Sequence, residues 1–140
     1  HGAAVDRTAE AMRDISRSKA IIRVQGGVVL DQYAAPLPDI ALLVPRDDYY
    51  SKKNPDATDT LLIVEMAMSS LERDLTIKLE MYAITGVREY WVADLEHNRL
   101  LVHTDPSNDA YKTVRTFERG DIVAPALLPD CPISVDLLLP

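Results

Sequence analysis

The chain is poor in the residues that would mark several large classes of protein. It has one cysteine in 140 residues, Cys131, which excludes a disulfide framework and a zinc site built from cysteines. No apolar run approaches the roughly 20 residues of a membrane span. Runs such as Leu61 to Val64 are strand-sized. There is no signal-like apolar opening, no repeat, no low-complexity tract and no linker. These absences, with one thiol, fit a reducing cytoplasm. Positive charge is scarce too: 15 Lys+Arg stand against 22 Asp+Glu, a net charge of −7. Non-specific nucleic-acid binding wants a basic footprint, so this balance argues against it.

What remains is an ordinary globular composition, 47% hydrophobic and 26% charged. The length predicts a single domain over residues 1–140, large enough to bury a real core. The chain opens His1-Gly2-Ala3-Ala4 without Met, so a preceding N-terminal segment is expected.

Residues 3–19 predict a helix, because Val5, Ala9, Met12 and Ile15 recur at helical spacing among charges. Residues 20–30 predict a β segment bent at Gly26-Gly27. Tyr33 to Pro38 reads as a loop closed by prolines, residues 39–44 as a short apolar strand and residues 45–59 as a polar surface loop. Residues 60–66 predict a central strand covered on both faces, since Leu61 to Val64 does not alternate. Ser69-Ser70-Leu71-Glu72 reads as a capping box. It opens a helix to about Thr85, stopped by Gly86. With strand 88–94 this makes a βαβ unit, so strands 60–66 and 88–94 should be parallel. Residues 99–104, 110–117 and 121–127 predict a β meander, and 133–139 a last strand or helical turn.

Three ionisable residues fall where burial should discourage them. Asp39 starts an apolar strand after Pro38, and Glu65 ends the most apolar strand in the chain. Lys78 emerges from a helical wheel. With Leu71 at zero, Leu75 falls near about 40°, Tyr82 near about 20° and Lys78 near about −20°. Lys78 thus lies within the apolar face, while Glu72, Arg73 and Glu80 lie outside it. A buried ammonium needs a partner, and Asp39 and Glu65 are the nearest candidates. Two carboxylates and a lysine at one sheet edge suit a hard cation such as Mg²⁺. That equipment fits phosphodiester hydrolysis, the lysine orienting a water or offsetting developing charge. The same residues also read as a structural ion pair. Asp74 and Asp94 read as supports of a site or as simple caps. Tyr82, Tyr90, Trp91 and Cys131 read as core, and His103 as surface or half-buried. His1 and His97 carry no signal.

These residues resemble a known pattern. Pro38-Asp39, Glu65 after an apolar strand, and a helix bearing Lys78 in αβββαβ order resemble the PD-(D/E)XK nuclease superfamily. The stretches 36–50, 61–96 and 127–139 look like the Uma-two family, a domain-of-unknown-function family described as "putative restriction endonuclease". The phrases VE-x-A-x-SS, K-x-x-x-YA and G-x-x-EYWV-x-D carry the likeness together. The resemblance implies an α/β, restriction-endonuclease-like core: a mixed central sheet flanked by helices, with a C-terminal β extension. It implies that Asp39 and Glu65 are metal ligands, with the Met66 peptide carbonyl contributing. The superfamily lysine would stand at Ala67, and Lys78 on the following helix replaces it. Gln25 matches a glutamine that lines the site. Met68 stands where members usually have a small polar or acidic residue. Members also carry a preceding segment with an acidic position counted with the site.

The expectation is therefore a Mg²⁺- or Mn²⁺-dependent DNA endonuclease, a cytoplasmic homodimer with no membrane association. RNA stays open as a substrate. The alternative is a weak or inactive nuclease-fold module used in dimerisation or partner binding. In a chain this acidic, phosphate contacts must come from patches such as Arg46, Lys52 and Lys53.

Overall fold

In chain order the computed structural model has α1 (Gly2–Ser16), β1 (Ile21–Val24), β2 (Ile40–Leu43), β3 (Thr60–Ala67), α2 (Leu71–Leu75) and α3 (Ile77–Ile84). There follow β4 (Glu89–Asp94), β5 (Arg99–Ser107), β6 (Ala110–Glu118), β7 (Ile122–Val123) and β8 (Ile133–Ser134). Residues 1–31 and 34–140 are described. The expected loop residue Tyr33 lies outside them.

One sheet of six strands runs β1-β2-β3-β4-β5-β6. β3 and β4 are parallel, as a strand–helix–strand connection requires, and every other neighbouring pair in the sheet is antiparallel. The sheet is therefore mixed, with helices on both faces. The meander only partly forms as expected. β5 and β6 extend the main sheet, whereas β7 pairs with β8 in a separate ribbon. Residues 133–139 give two strand residues and then a 3₁₀ turn, Val135–Leu137.

Three local expectations fail for physical reasons. β1 stops at Val24, because Gln25 takes a left-handed φ of 51° just before Gly26-Gly27. The predicted helix 70–85 is two helices, broken at Thr76 (φ −120°, ψ −83°). The Ser69 capping box does not form. Ser70 is the N-cap, and its hydroxyl donates to Asp74 Oδ2 at 2.8 Å rather than accepting a backbone N–H. Gly86, at φ 86°, does end α3, a conformation for which a Cβ is costly.

Each face of the sheet buries its own cluster. Val5, Ala9 and Met12 of α1 pack with Ile40, Leu42, Leu62, Val64 and Trp91. Tyr82 and Ala83 of α3 pack with Ala41, Leu43, Ile63, Tyr90 and Val92. β3 and β4 are covered on both sides, which explains their unbroken apolar runs. α1 also holds the chain end: Arg7 donates from Nε to the Leu137 carbonyl at 3.0 Å and from Nη2 to that of Leu139 at 2.8 Å. Among the described residues, no helix is long and apolar enough to cross a membrane.

Glu89 shows how the C-terminal segment is fastened to the sheet. Its two carboxylate oxygens accept separately, from Trp91 Nε1 at 2.6 Å and from the Ala126 N–H at 2.7 Å. Burial pushes its pKa up against the pull of these two donors. Glu89→Gln would set an NH₂ against one of them. A loss of about 1–3 kcal/mol is expected by urea denaturation. An unchanged midpoint would remove Glu89 as the fastener.

Candidate functional site

Register brings the two carboxylates together. Ile40 faces Val64 across β2 and β3, so the next pair outward is Asp39 with Glu65. The Asp39 N–H donates to Glu65 Oε1 at 2.9 Å, and the Met66 N–H donates to Asp39 Oδ2 at 2.8 Å. Each carboxylate is thus fixed by the other's strand. Gln25, just past β1, donates its backbone N–H to the Asp39 carbonyl at 3.0 Å. This places Gln25 at the edge of the site through its backbone, with its side chain exposed.

Glu65 alternates with Ile63 and Ala67 and so faces α3. There Lys78 Nζ lies 3.2 Å from Glu65 Oε2 and 3.0 Å from Asp74 Oδ1. The Tyr82 hydroxyl donates to the same Glu65 oxygen at 3.3 Å. Ala67 is fully buried in the same cluster, so Lys78 approaches from the helix over a small side chain. Asp74, 1% exposed, accepts from Ser70 on Oδ2, while Oδ1 has only its ion-pair contact with Lys78. Its backbone carbonyl accepts from the buried Tyr90 hydroxyl at 2.9 Å.

Burial dominates the electrostatics. It raises the Glu65 pKa to about 7, against the Asp39 N–H and the Lys78 charge, which lower it. For Lys78 burial pulls downward, but Glu65 and Asp74 outweigh it, and the pKa ends above its ordinary value. Lys78 is therefore an ammonium at neutral pH. It can donate and stabilise negative charge, but it cannot act as a base. Burial and the Glu65 charge push the Tyr82 phenol upward as well, so it remains a donor.

The donor set fits a well-hydrated hard cation. A carboxylate offers about four lone-pair sites. Glu65 uses three, for Asp39, Lys78 and Tyr82. Asp39 uses two, for Met66 and the His1 ring, whose Nε2 lies 3.2 Å from Oδ2. Sites remain free on both, and Mg²⁺ needs only one or two carboxylates when it keeps its waters. Among the described residues, no three His, Cys, Asp or Glu side chains converge to hold an ion by themselves. A cation here would thus depend on water ligands.

A family model, "Uma2: Putative restriction endonuclease", matches residues 1–136. The chain belongs to the Uma2 family. No curated protein matches it. Its fold is also that of a crystal structure described as a putative nuclease belonging to DUF820 from Anabaena variabilis ATCC 29413. That likeness has a TM-score of 0.75 at 15% identity, over 99% of this chain and 79% of the other.

Against that Uma2 background, Asp39, Glu65, Met66, Ala67, Asp74 and Lys78 converge, with Gln25 at the margin. The phosphate candidates lie elsewhere, past the far end of β2. Arg46 is bound bidentately to Asp48 at 2.9 and 3.1 Å, and Lys53 sits 3.0 Å from Asp59. Lys52 is exposed. Three residues, His1, Tyr82 and His103, are only partly legible in the sequence. His1 carried no signal yet touches Asp39, a contact created by packing α1 on the sheet. Tyr82 reads from sequence as core alone. It is core, and its hydroxyl also belongs to the site. Asp94 fastens a turn instead, accepting from Arg99 Nε at 2.8 Å and contacting the His97 ring. His103 is buried, not a surface residue, and its Nδ1–H donates to the Tyr90 carbonyl at 2.9 Å.

Proposed function

We propose that this Uma2 chain is a divalent-cation-dependent endonuclease that hydrolyses DNA phosphodiester bonds. The observation carrying this reading is the buried Glu65, shared between the Asp39 strand and the Lys78 ammonium. Asp39 and Glu65 would hold Mg²⁺ or Mn²⁺. Met66 would add its carbonyl, because its N–H already points toward Asp39 and a strand residue directs both groups to one edge. When bound, such a cation polarises the phosphoryl oxygen and lowers the pKa of a bound water.

The chain's own residues do the rest. Lys78 lies beside that position and offsets the charge that grows on the phosphoryl oxygens as the water oxygen attacks phosphorus and the ester P–O bond breaks. Asp74 and Tyr82 are positioning residues: one anchors Nζ, and the other fixes the Glu65 oxygen that Lys78 shares. Gln25 borders the approach to Asp39.

The test is nicking of supercoiled plasmid by the purified chain in millimolar Mg²⁺ or Mn²⁺, with EDTA as control. Cation-dependent nicking is expected, and Asp39→Ala should abolish it. Nicking by Asp39→Ala at the parent rate would overturn the assignment. So would failure of the parent to cut DNA with either ion. Cleavage confined to an RNA of the same sequence would move the substrate, not the site.

A further inference from the structure

A second feature lies near the C-terminal end of α1. α1 runs from His1, beside Asp39, to Ser16, and β2 runs from Ile40 to Leu43 alongside β1. At 1.5 Å per residue the 15 residues of α1 span roughly 22 Å. Where α1 ends and loop 45–49 begins, a cavity of about 480 Å³ is lined by Arg13, Arg17, Arg46, Asp47 and Tyr49.

The lining is built for an anion with an aromatic neighbour. Arg13 and Arg17 are exposed, and neither has a carboxylate partner among the described residues. Arg46 is held from two sides. Asp48 takes its Nε and Nη2, and its guanidinium lies 5.3 Å over the Tyr50 ring. Among the described residues, Nη1 has no hydrogen-bond partner. Tyr49 is 68% exposed, a large apolar ring left in water. Two of the lining residues, Arg17 at φ 46° and Tyr49 at φ 52°, hold left-handed backbone that non-glycine residues rarely adopt. Arg23 clamps the second of these, donating to the Tyr49 carbonyl at 3.2 Å. Strain kept in place by surrounding contacts is a mark of ligand clamps.

We infer that this cavity binds the phosphodiester backbone of a nucleic-acid strand, with guanidiniums on the phosphates and a base stacked on Tyr49. The choice of a nucleic acid rests on the nuclease reading. The chemistry of the cavity, phosphate plus an aromatic face, stands independently. Arginine forks match phosphate oxygens, and an exposed tyrosine accepts any base. The span of α1, roughly 22 Å, corresponds to about six nucleotide steps at 3.4 Å each. A strand of six or more nucleotides is long enough to cover that span. Asp47 opposes the anion and limits its affinity.

The probe is a fluorescent 12-nucleotide single strand, read by anisotropy in EDTA so that no cleavage occurs. Arg13→Gln with Arg17→Gln is expected to weaken binding about 10-fold or more. It should also flatten the slope of log K against log salt by about 1.4, at roughly 0.7 per contact. Tyr49→Ala should weaken it roughly 5-fold or more, and Asp47→Asn should tighten it. Unchanged affinity and slope in the double variant would overturn the site. Efficient displacement by inorganic phosphate, with Tyr49→Ala inert, would reduce it to a free-phosphate site and overturn the strand. If cleavage fails in every form while these shifts appear, the nuclease reading falls and this site stands. If cleavage proceeds and the shifts are absent, the reverse holds.

Discussion

Replacing Lys78 by alanine is expected to cut cation-dependent DNA cleavage by at least about 100-fold, the scale of losing one donor aimed at developing charge. Among the described residues, Lys78 is the sole ammonium contacting both Glu65 and Asp74, two carboxylates buried almost completely. Its removal leaves both facing one another across the vacated space. Breaking a buried pair from one side costs about 3–5 kcal/mol when the remaining charge cannot escape. Here it can, because Glu65 already titrates near about 7 and can take a proton. The stability cost should thus fall below that range, while the loss of rate is full. Urea denaturation beside plasmid nicking separates the two effects. Lys78→Met, which keeps the aliphatic stem, should recover stability but not cleavage. A Lys78→Met variant that cuts at the parent rate would remove the lysine from the chemistry.

The pH profile should follow Glu65. Burial holds its proton up to about 7, far above the ordinary value of 4.5. The cation needs the ionised form, so cleavage should rise about tenfold per pH unit below about 7 and level off above it. The stability of the cation-free protein should run the other way. The folded state binds the proton more tightly than the unfolded chain. That contribution is whole below about 4.5 and is lost as pH rises through about 7. Mg²⁺ should therefore raise the unfolding temperature more at pH 8 than at pH 6. Melting curves from pH 5 to 9, with and without Mg²⁺, would show it. Glu65→Gln, which cannot titrate, should abolish both dependences. A cation effect equal at pH 6 and pH 8 would count against Glu65 as a ligand.

Much of this site was legible in the sequence, because charge amid apolar residues is conspicuous. Asp39 and Glu65 stand out at the ends of apolar runs, and the wheel placed Lys78 among Leu71, Leu75 and Tyr82. The same wheel puts Asp74 at about −60°, next to Lys78. By sequence it reads as a cap or a support, and it is the more deeply buried partner. The break at Thr76 could not be read, since no proline or glycine marks it. At the break the Thr76 hydroxyl donates to the Glu72 carbonyl at 2.7 Å. His1 was illegible for another reason. A helix says nothing locally about which strand end it will meet. The patch at Arg46 and Lys53 is less basic than its side chains suggest, although the Asp48 pairing takes only Nε and Nη2 of Arg46. Its neutralising partners, Asp48, Asp56 and Asp59, are only a few residues away in the same loop.

The six-stranded sheet ends on β6, a nine-residue strand paired only with β5 among the described residues. Its outer rim offers open N–H and C=O groups, the template on which a second chain adds a strand. Val114, 54% exposed, is the sticky point of that rim. It is flanked by the exposed Lys112 and Arg115. A strand that brings its own lysine or arginine to this rim meets those two charges. Like charges directly opposite one another repel. The rim thus carries its own guard against indiscriminate strand addition.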